Sequence, residues 1–406
     1  MKIRKLSLGL GLVLGAVAVV SLASCNGSGS TKVTYKDADG NEKSVEVKKT
    51  ENKEEVAEAA TAIIYSDGTK FKPYGIALDA QISAKFNGKQ NDKAFNYSYN
   101  VGAKSQVSVG KEYKSTDYAE YSELSLSAQL PKDIMKLYAT ADQSGASAGV
   151  SIDFTQNTNL AATIKTYGDL SEEYLKIEKL DIPYADLGLT DYKEMIETYA
   201  KVDSIYKVNY QEAVNTFGSL ISKYSGMSQL NLATLPTQVQ SLLASYKTME
   251  DPVASIYGNF TKEDAATFKA NFETSVETYG ISITNVSGTS VTFRAVPNEK
   301  YSEGLKGYTG NSYIDVTFDA VKKIPTAISA DLKDVLNHLA NSVSTGDSSS
   351  TNVFAQFGVT DFAVAEMKFS LNLTFDKDVT SKLTDAEKAS ATNLVTTLSD
   401  LMGQKK

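Results

Sequence analysis

The chain has 406 residues, 42% hydrophobic and 22% charged, the balance of a folded globular protein rather than a disordered one. A formal net charge of −8 at pH 7 works against a nucleic-acid partner, whose phosphates are bound by Lys and Arg. One cysteine excludes an intramolecular disulfide, and one histidine removes most imidazole-based chemistry. With 23 Tyr and no Trp, aromatic area comes mostly from a ring with a polar tip.

Lys2, Arg4 and Lys5 are positive with no acidic neighbour, and an apolar run from Leu6 to Val20 follows them. The run is shorter than the ~20 residues of a spanning helix. It leads into the small-residue site Leu22-Ala23-Ser24-Cys25, which is the pattern of an export signal. That site resembles the lipobox of bacterial lipoproteins; an ordinary secretory signal with an incidental cysteine is the alternative. The resemblance implies cleavage between Ser24 and Cys25. Cys25 is then the lipid anchor, carrying diacylglycerol and fatty acid such as palmitate, on the extracytoplasmic face of the cell membrane. Two or more acyl chains make a durable anchor, at ~0.8 kcal/mol per buried methylene. Removing residues 1–24 leaves 382 residues and takes away three positive charges, moving the net charge from −8 to −11.

Residues 25–49 read as the lipidated cysteine, a Gly/Ser tether (Asn26–Ser30) and a short hairpin. Val33, Tyr35, Val45 and Val47 flank the hairpin's Asp39-Gly40 turn. Asp37–Asn41 superficially resembles a calcium loop, but its glycine falls at position 4 and Lys48 at position 12, so no calcium site is expected. Residues 50–402 read as one domain. Glu51–Ile64 is a helix with Val56, Ala59, Ala60, Ile63 and Ile64 on one face. Strict alternation then predicts strands over about 74–180. The pattern holds at Ile76–Phe86, Phe95–Val109, Tyr118–Leu130, Ala148–Phe154, Leu160–Ile164 and Leu175–Ile177, six strands in an antiparallel meander with one face solvated.

Helical spacing follows over about 190–279. It marks Asp191–Tyr224, which includes Ile205 and Tyr206, a helix opened by Leu235-Pro236, and one entered at Thr261–Asp264 and ended by Gly280. Strands resume over about 281–376. Ala327–Leu332 is ambiguous between periods, Lys333–Ala340 is a short helix or loop, and Asn341–Asn352 is a mobile loop. Ala363–Phe375 is one of the clearest strands. Thr384–Glu387 is a capping box starting a C-terminal helix over about 384–402 that carries Ala391, Leu394, Val395, Leu398 and Leu401.

No catalytic or metal constellation emerges. His338 has no evident partner, Cys25 is consumed by lipid, and Glu172-Glu173 and Asp315/Asp319 read as solvated acids. No cofactor motif is present. The lysines Lys85, Lys89, Lys93, Lys104, Lys111 and Lys114 read as a solvated hairpin surface. What remains is apolar and aromatic: Phe95, Tyr97, Tyr99, Tyr199, Tyr206, Phe217, Phe369 and Phe375 are the candidates to line a ligand cavity, and they fit a packed sheet–helix core as well.

The element order, behind a lipobox, resembles that of the LolA/LprG/LppX-like lipoprotein superfamily over much of residues 50–400. The resemblance implies an α+β fold, a large curved antiparallel sheet (half-barrel-like) with helices packed on its concave face. It also implies non-enzymatic binding or carriage of an apolar ligand such as a lipid. The alternative is a surface adhesion or protein-interaction lipoprotein with a solid core, and a hydrolase ranks behind both.

Overall fold

The computed structural model describes residues 29–36, 41–65, 71–134, 152–213, 215–216, 235–248, 265–345 and 358–403. The signal segment, Cys25 and its tether up to Ser28, the hairpin turn at 37–40 and Phe217 lie outside them. The fold is α+β. A two-stranded hairpin, β1 (Ser30–Lys36) and β2 (Glu42–Lys48), stands beside an open sheet of twelve strands. In chain order these are β3 (Gly75–Gln90), β4 (Lys93–Ser108), β5 (Ala119–Pro131), β6 (Asn157–Gly168), β7 (Glu172–Asp181), β8 (Ile205–Asn209), β9 (Ser282–Ser287), β10 (Ser290–Ala295), β11 (Tyr313–Asp319), β12 (Ile324–Asp331), β13 (Val359–Phe375) and β14 (Thr392–Asn393). Across the sheet they run β14-β8-β7-β6-β5-β4-β3-β13-β12-β11-β10-β9, antiparallel except for β14 on β8.

The alternating segments 76–86 and 363–375 become β3 and β13, paired from Ile76↔Phe375 to Gln90↔Val359. At 16 and 17 residues, both far exceed the usual ~5–6. The ambiguous stretch after Ile324-Pro325 is a strand. Pro325 is tolerated there because it sits at a register shift against β11, and pairing with β13 begins only at Ala327.

Helices lie at several places along the sheet, and a hydrophobic core forms around the first of them at the β9–β11 end. α1 (Lys53–Ile63) is capped by Asn52, whose Oδ1 accepts the Glu55 N–H at 3.0 Å. It buries Val56, Ala57, Ala59, Ala60, Thr61, Ala62 and Ile63, nearly its whole circumference rather than the single face that its spacing suggests. The reason is its position among three partners: the β1–β2 hairpin (Val33, Tyr35, Val47), β9–β11 (Ile283, Val286, Val291, Phe293, Phe318) and α5 (Phe268, Val276). Further along the chain come α2 (Tyr184–Leu187), α3 (Lys193–Tyr199), α4 (Leu235–Thr248), α5 (Ala265–Tyr279), α6 (Lys333–Thr345), α7 (Asp385–Ser390) and α8 (Leu394–Gly403). Among the described residues no helix is long and apolar enough to cross a membrane.

Three expectations are corrected. Ile205 and Tyr206, assigned to a helix by their spacing from Val202, form β8. Asp203 takes a positive φ of 63°, and its N–H donates to the Ile177 carbonyl at 2.7 Å, so the free edge of β7 captures the segment. The strand expected over Ala148–Phe154 is a turn where it is described, leaving five strands (β3–β7) in the meander before β8. Asp153 Oδ1 accepts the Thr155 N–H at 2.9 Å and its hydroxyl at 2.6 Å, and this local turn chemistry outweighs alternation. Finally, the capping box at Thr384/Glu387 is present but starts only α7. Ala391 is extended, Thr392–Asn393 pair with Tyr206–Lys207, and Asn393 Oδ1 caps α8 by accepting the Val395 N–H at 2.9 Å. Of the loop expected at 341–352, residues 341–345 continue α6 and the rest lie outside the described residues.

Because Ile63 is fully buried in the core around α1, Ile63→Ala should cost about 2–5 kcal/mol in urea denaturation, with little change in m-value.

Candidate functional site

The two faces of β3–β7 and β13 differ in chemistry. Register aligns Leu371–Ala80–Ala103–Leu124–Ile164–Ile177 in one cross-strand row and Phe369–Ile82–Val101–Leu126–Ala162–Leu180 in the next. Strand spacing of about 4.8 Å makes this apolar field roughly 24 Å wide across six strands. Part of it is open: Leu124 is 52% exposed and Ile82 40% in these rows, and Ile76 43% and Val107 36% further along the same face. Large exposed apolar patches are the kind of surface at which proteins meet ligands, partners or membranes.

The opposite face is polar and internally paired. Lys104 reaches Glu123 at 3.0 Å, and Lys165 reaches Glu123 at 3.6 Å and Glu178 at 2.7 Å, an ion ladder across four strands. Tyr121 donates to the same Glu123 at 2.7 Å, and Glu123 is held below its ordinary range by that hydrogen bond against partial burial. The segment after β13 crosses this side. Its Val379 N–H donates to Ser108 Oγ at 3.3 Å, Leu383 packs with Tyr174 and Ile205, and Glu387 pairs with Lys176 at 3.0 Å.

At one end the apolar face is filled by aromatic rings. Phe95, Tyr97 and Tyr99 meet here, with Phe154, Phe362 and Val359 packed on them. The Gln90 amide clasps the 152–154 turn, donating to the Ile152 carbonyl at 2.8 Å and accepting the Phe154 N–H at 2.7 Å. Tyr97 donates to the Phe154 carbonyl at 2.6 Å, and burial pushes its hydroxyl pKa up. A Cβ at Gly88 would strike the Phe95 ring, so glycine lets that ring lie flat across β3. This end is packed.

The remaining candidates do not join it. Phe375 pairs across from Ile76 and meets Phe71 ring to ring at 5.5 Å, ten residues or about 33 Å along β3 from Phe86. Phe369 sits in the middle row, Tyr206 is buried in β8, and Tyr199 ends α3. Phe217 lies outside the described residues.

The far margin of the face corrects one expectation: Glu173, read from the sequence as a solvated acid, is half-buried in β7 beside an acid that the sequence did not single out. Its last row reads Phe375–Ile76–Val107–Glu120–Gly168–Glu173. Two carboxylates thus stand on the apolar side, one strand apart across a glycine. A Cβ on Gly168 would lie 2.7 Å from Glu120 Oε1, so the glycine makes room for that side chain. Tyr118 donates to Glu120 Oε2 at 2.7 Å, and Tyr210 reaches Oε1 at 3.5 Å. Burial raises the pKa of both tyrosines. Glu173 is also raised, first by desolvation and then by the charge of Glu120, against a hydrogen bond from Thr166. Among the described residues neither acid has a cationic partner. The available signal was parity: Glu120 falls on the same alternation as Leu124 and Leu126, where an acid breaks the pattern.

The other groups singled out earlier are engaged structurally. Asp315 accepts from Arg294 Nε and Nη2, both at 2.7 Å, and Arg294 stacks 4.0 Å from the Tyr313 ring. Asp319 accepts the Val321 and Lys322 N–H groups, each at 2.9 Å. Glu172 is paired with Lys207, and His338 meets Tyr308 edge-on at 5.4 Å. Lys85, Lys89 and Lys104 pair with Glu366, Asp361 and Glu123. No protein-family model matches the chain, and no curated protein matches it.

Because Glu173 is raised in the folded state, its contribution is fully favourable below the unfolded carboxylate value of 4.5 and is lost as pH climbs through the folded value. Glu173→Gln should therefore raise Tm at about pH 7, with the gain shrinking to nothing near pH 4. Thermal scans across that range check it.

Proposed function

We propose that this chain is a membrane-anchored extracytoplasmic lipoprotein, held by acylated Cys25, that binds or carries an apolar ligand such as a lipid without catalysis. The observation carrying this reading is the open apolar field, with Leu124, Ile76, Ile82 and Val107 together on one face of the sheet. A flat, greasy surface of this size is costly in water, and covering it with acyl chain recovers about 0.8 kcal/mol per methylene buried. A bilayer at the end of the tether is a ready source of such chains.

The proposal takes the sheet as half-barrel-like, with helices on its concave side, so that this field is the floor of a trough. Two contacts support α4 standing at one margin of that floor: Ser115 N–H donates to Gln240 Oε1 at 2.8 Å, and Tyr113 meets Tyr246 at 5.9 Å. An enclosed pocket is not required, since a chain laid across the strands already covers both partners.

Native mass spectrometry of the purified chain should show co-purifying lipid. Replacing Ile82 and Leu124 together by Gln should cut retained lipid by about tenfold or more. The stability cost should be small because both side chains are half out in solvent. Lipid-free protein that instead retains a protein or glycan from envelope extracts would overturn carriage in favour of adhesion.

A further inference from the structure

The apolar face is asymmetric in charge as well as in shape. In β3–β7, Lys85, Lys89, Lys104, Lys165, Lys176 and Lys179 all hold register positions of the polar face. Lys93 alone shares the parity of the apolar face, and it lies at the hairpin tip opposite Gln90, beyond the packed aromatic end. Within β3–β7, the charges on the exposed part of the face are therefore Glu120 and Glu173, next to Val107 in the same row. Two half-buried acids face each other across Gly168, and among the described residues neither is ion-paired to a cation.

We propose that the occupant of this face is an amphiphile with a cationic head group, an ammonium or quaternary ammonium. Its chain lies over Ile76, Val107 and Leu124, and its head sits at Glu120 and Glu173. This rests on the apolar-ligand reading above and adds the polarity of the head group to it. The Tyr118 and Tyr210 hydroxyls already donate to Glu120, which orients the carboxylate and brings two aromatic rings beside it. Rings next to carboxylates suit an alkylated ammonium, which is drawn to the ring face as well as to the charge. An anionic head, phosphate or sulfate, would meet two carboxylates that carry no ion pair to a lysine among the described residues. The chain's net charge of −8 adds to that discrimination at longer range.

The test is calorimetric titration of the purified chain at low salt with three probes of equal chain length, each below its micelle threshold: dodecyltrimethylammonium, dodecyl maltoside and dodecyl sulfate. The cationic probe should bind about tenfold or more tighter than the sulfate. In the Glu120→Gln/Glu173→Gln double variant, that preference should shrink to within about twofold while the affinity for the maltoside is unchanged. Glu46→Gln, which changes the same charge on the exposed strand β2, should leave the preference intact. Should the double variant fail to fold, Glu173→Gln alone should still weaken the cationic probe selectively. Equal binding of cation and sulfate by the unaltered chain, or a preference that survives loss of both acids, overturns the head-group assignment but leaves the apolar-ligand reading standing. Failure of all three probes to bind overturns both.

Discussion

Inter-strand hydrogen bonding along unusually long strands is the constraint on which the rest of this molecule depends. β3, β4 and β13 run 16, 16 and 17 residues, and their pairing is continuous enough to keep twelve strands in one sheet instead of two packed layers. A sheet of that width offers far more face than the neighbouring helices can cover. The helices that form a true core, α1 and α5, are committed to β9–β11 and the small hairpin. Elsewhere the sheet is held by its own ladder and by side-chain pairs across strands, each contributing only about 0.2–1 kcal/mol. Breadth of pairing takes the place of depth of burial.

That division explains why the two faces had to differ. A solvated sheet face can be stabilised and kept from associating by alternating charges, as along Lys104, Glu123, Lys165 and Glu178. Individually such exposed pairs are worth ~1 kcal/mol or less, so their value lies in suppressing edge and face pairing with other sheets. The chain after β13 adds cover on this side, ending in β14 along the outer edge of β8. On the apolar face the middle rows leave Ile82 and Leu124 exposed, although Leu371 and Ile177 in the same rows are buried. Its residues are kept apolar even so, and that is the opposite of what solubility alone would select.

Much of this architecture was legible in the sequence, and the misses share a cause. Alternation over Ile76–Phe86 and Ala363–Phe375 located two of the three longest strands, because a one-sided environment imposes period two over many residues. It mislocated Ile205 and Tyr206, where Val202, Ile205 and Tyr206 fit a helical spacing. No local pattern reveals that the β7 edge has free backbone groups to offer. Ala391–Asn393 failed similarly: the capping box predicted a helix start correctly, but pairing with β8 interrupts the helix within two turns. The Ile152–Phe154 turn depends on Gln90, 62 residues earlier in the chain. Local chemistry was readable, while competition from distant backbone and side chains was not. Site residues followed the same rule. The aromatic candidates were visible as a composition, yet register separates Phe375 from Tyr97 by most of a strand. The acid pair became visible only once β5, β6 and β7 were aligned.

The placement of that pair carries its own energetic argument. Carboxylates fully enclosed in an apolar field would cost several kcal/mol each, and would neutralise or find a cation within the fold. At the final row of the face, Glu120 and Glu173 are only half-buried, so the cost stays tolerable while the pKa of Glu173 still rises. A moderate, unrelieved repulsion is what a sheet can sustain at its margin but not at its centre. Gly168 fits the same logic, since a side chain there would push Glu120 away from Glu173 and relieve the repulsion without any ligand. The sequence instead uses glycine at the last paired position of β6, accepting its conformational cost, and adds two tyrosines that hold Glu120 in place. Glycine at this position thus keeps two carboxylates close on the margin of an apolar face, where the charge of Glu120 adds to desolvation in raising Glu173.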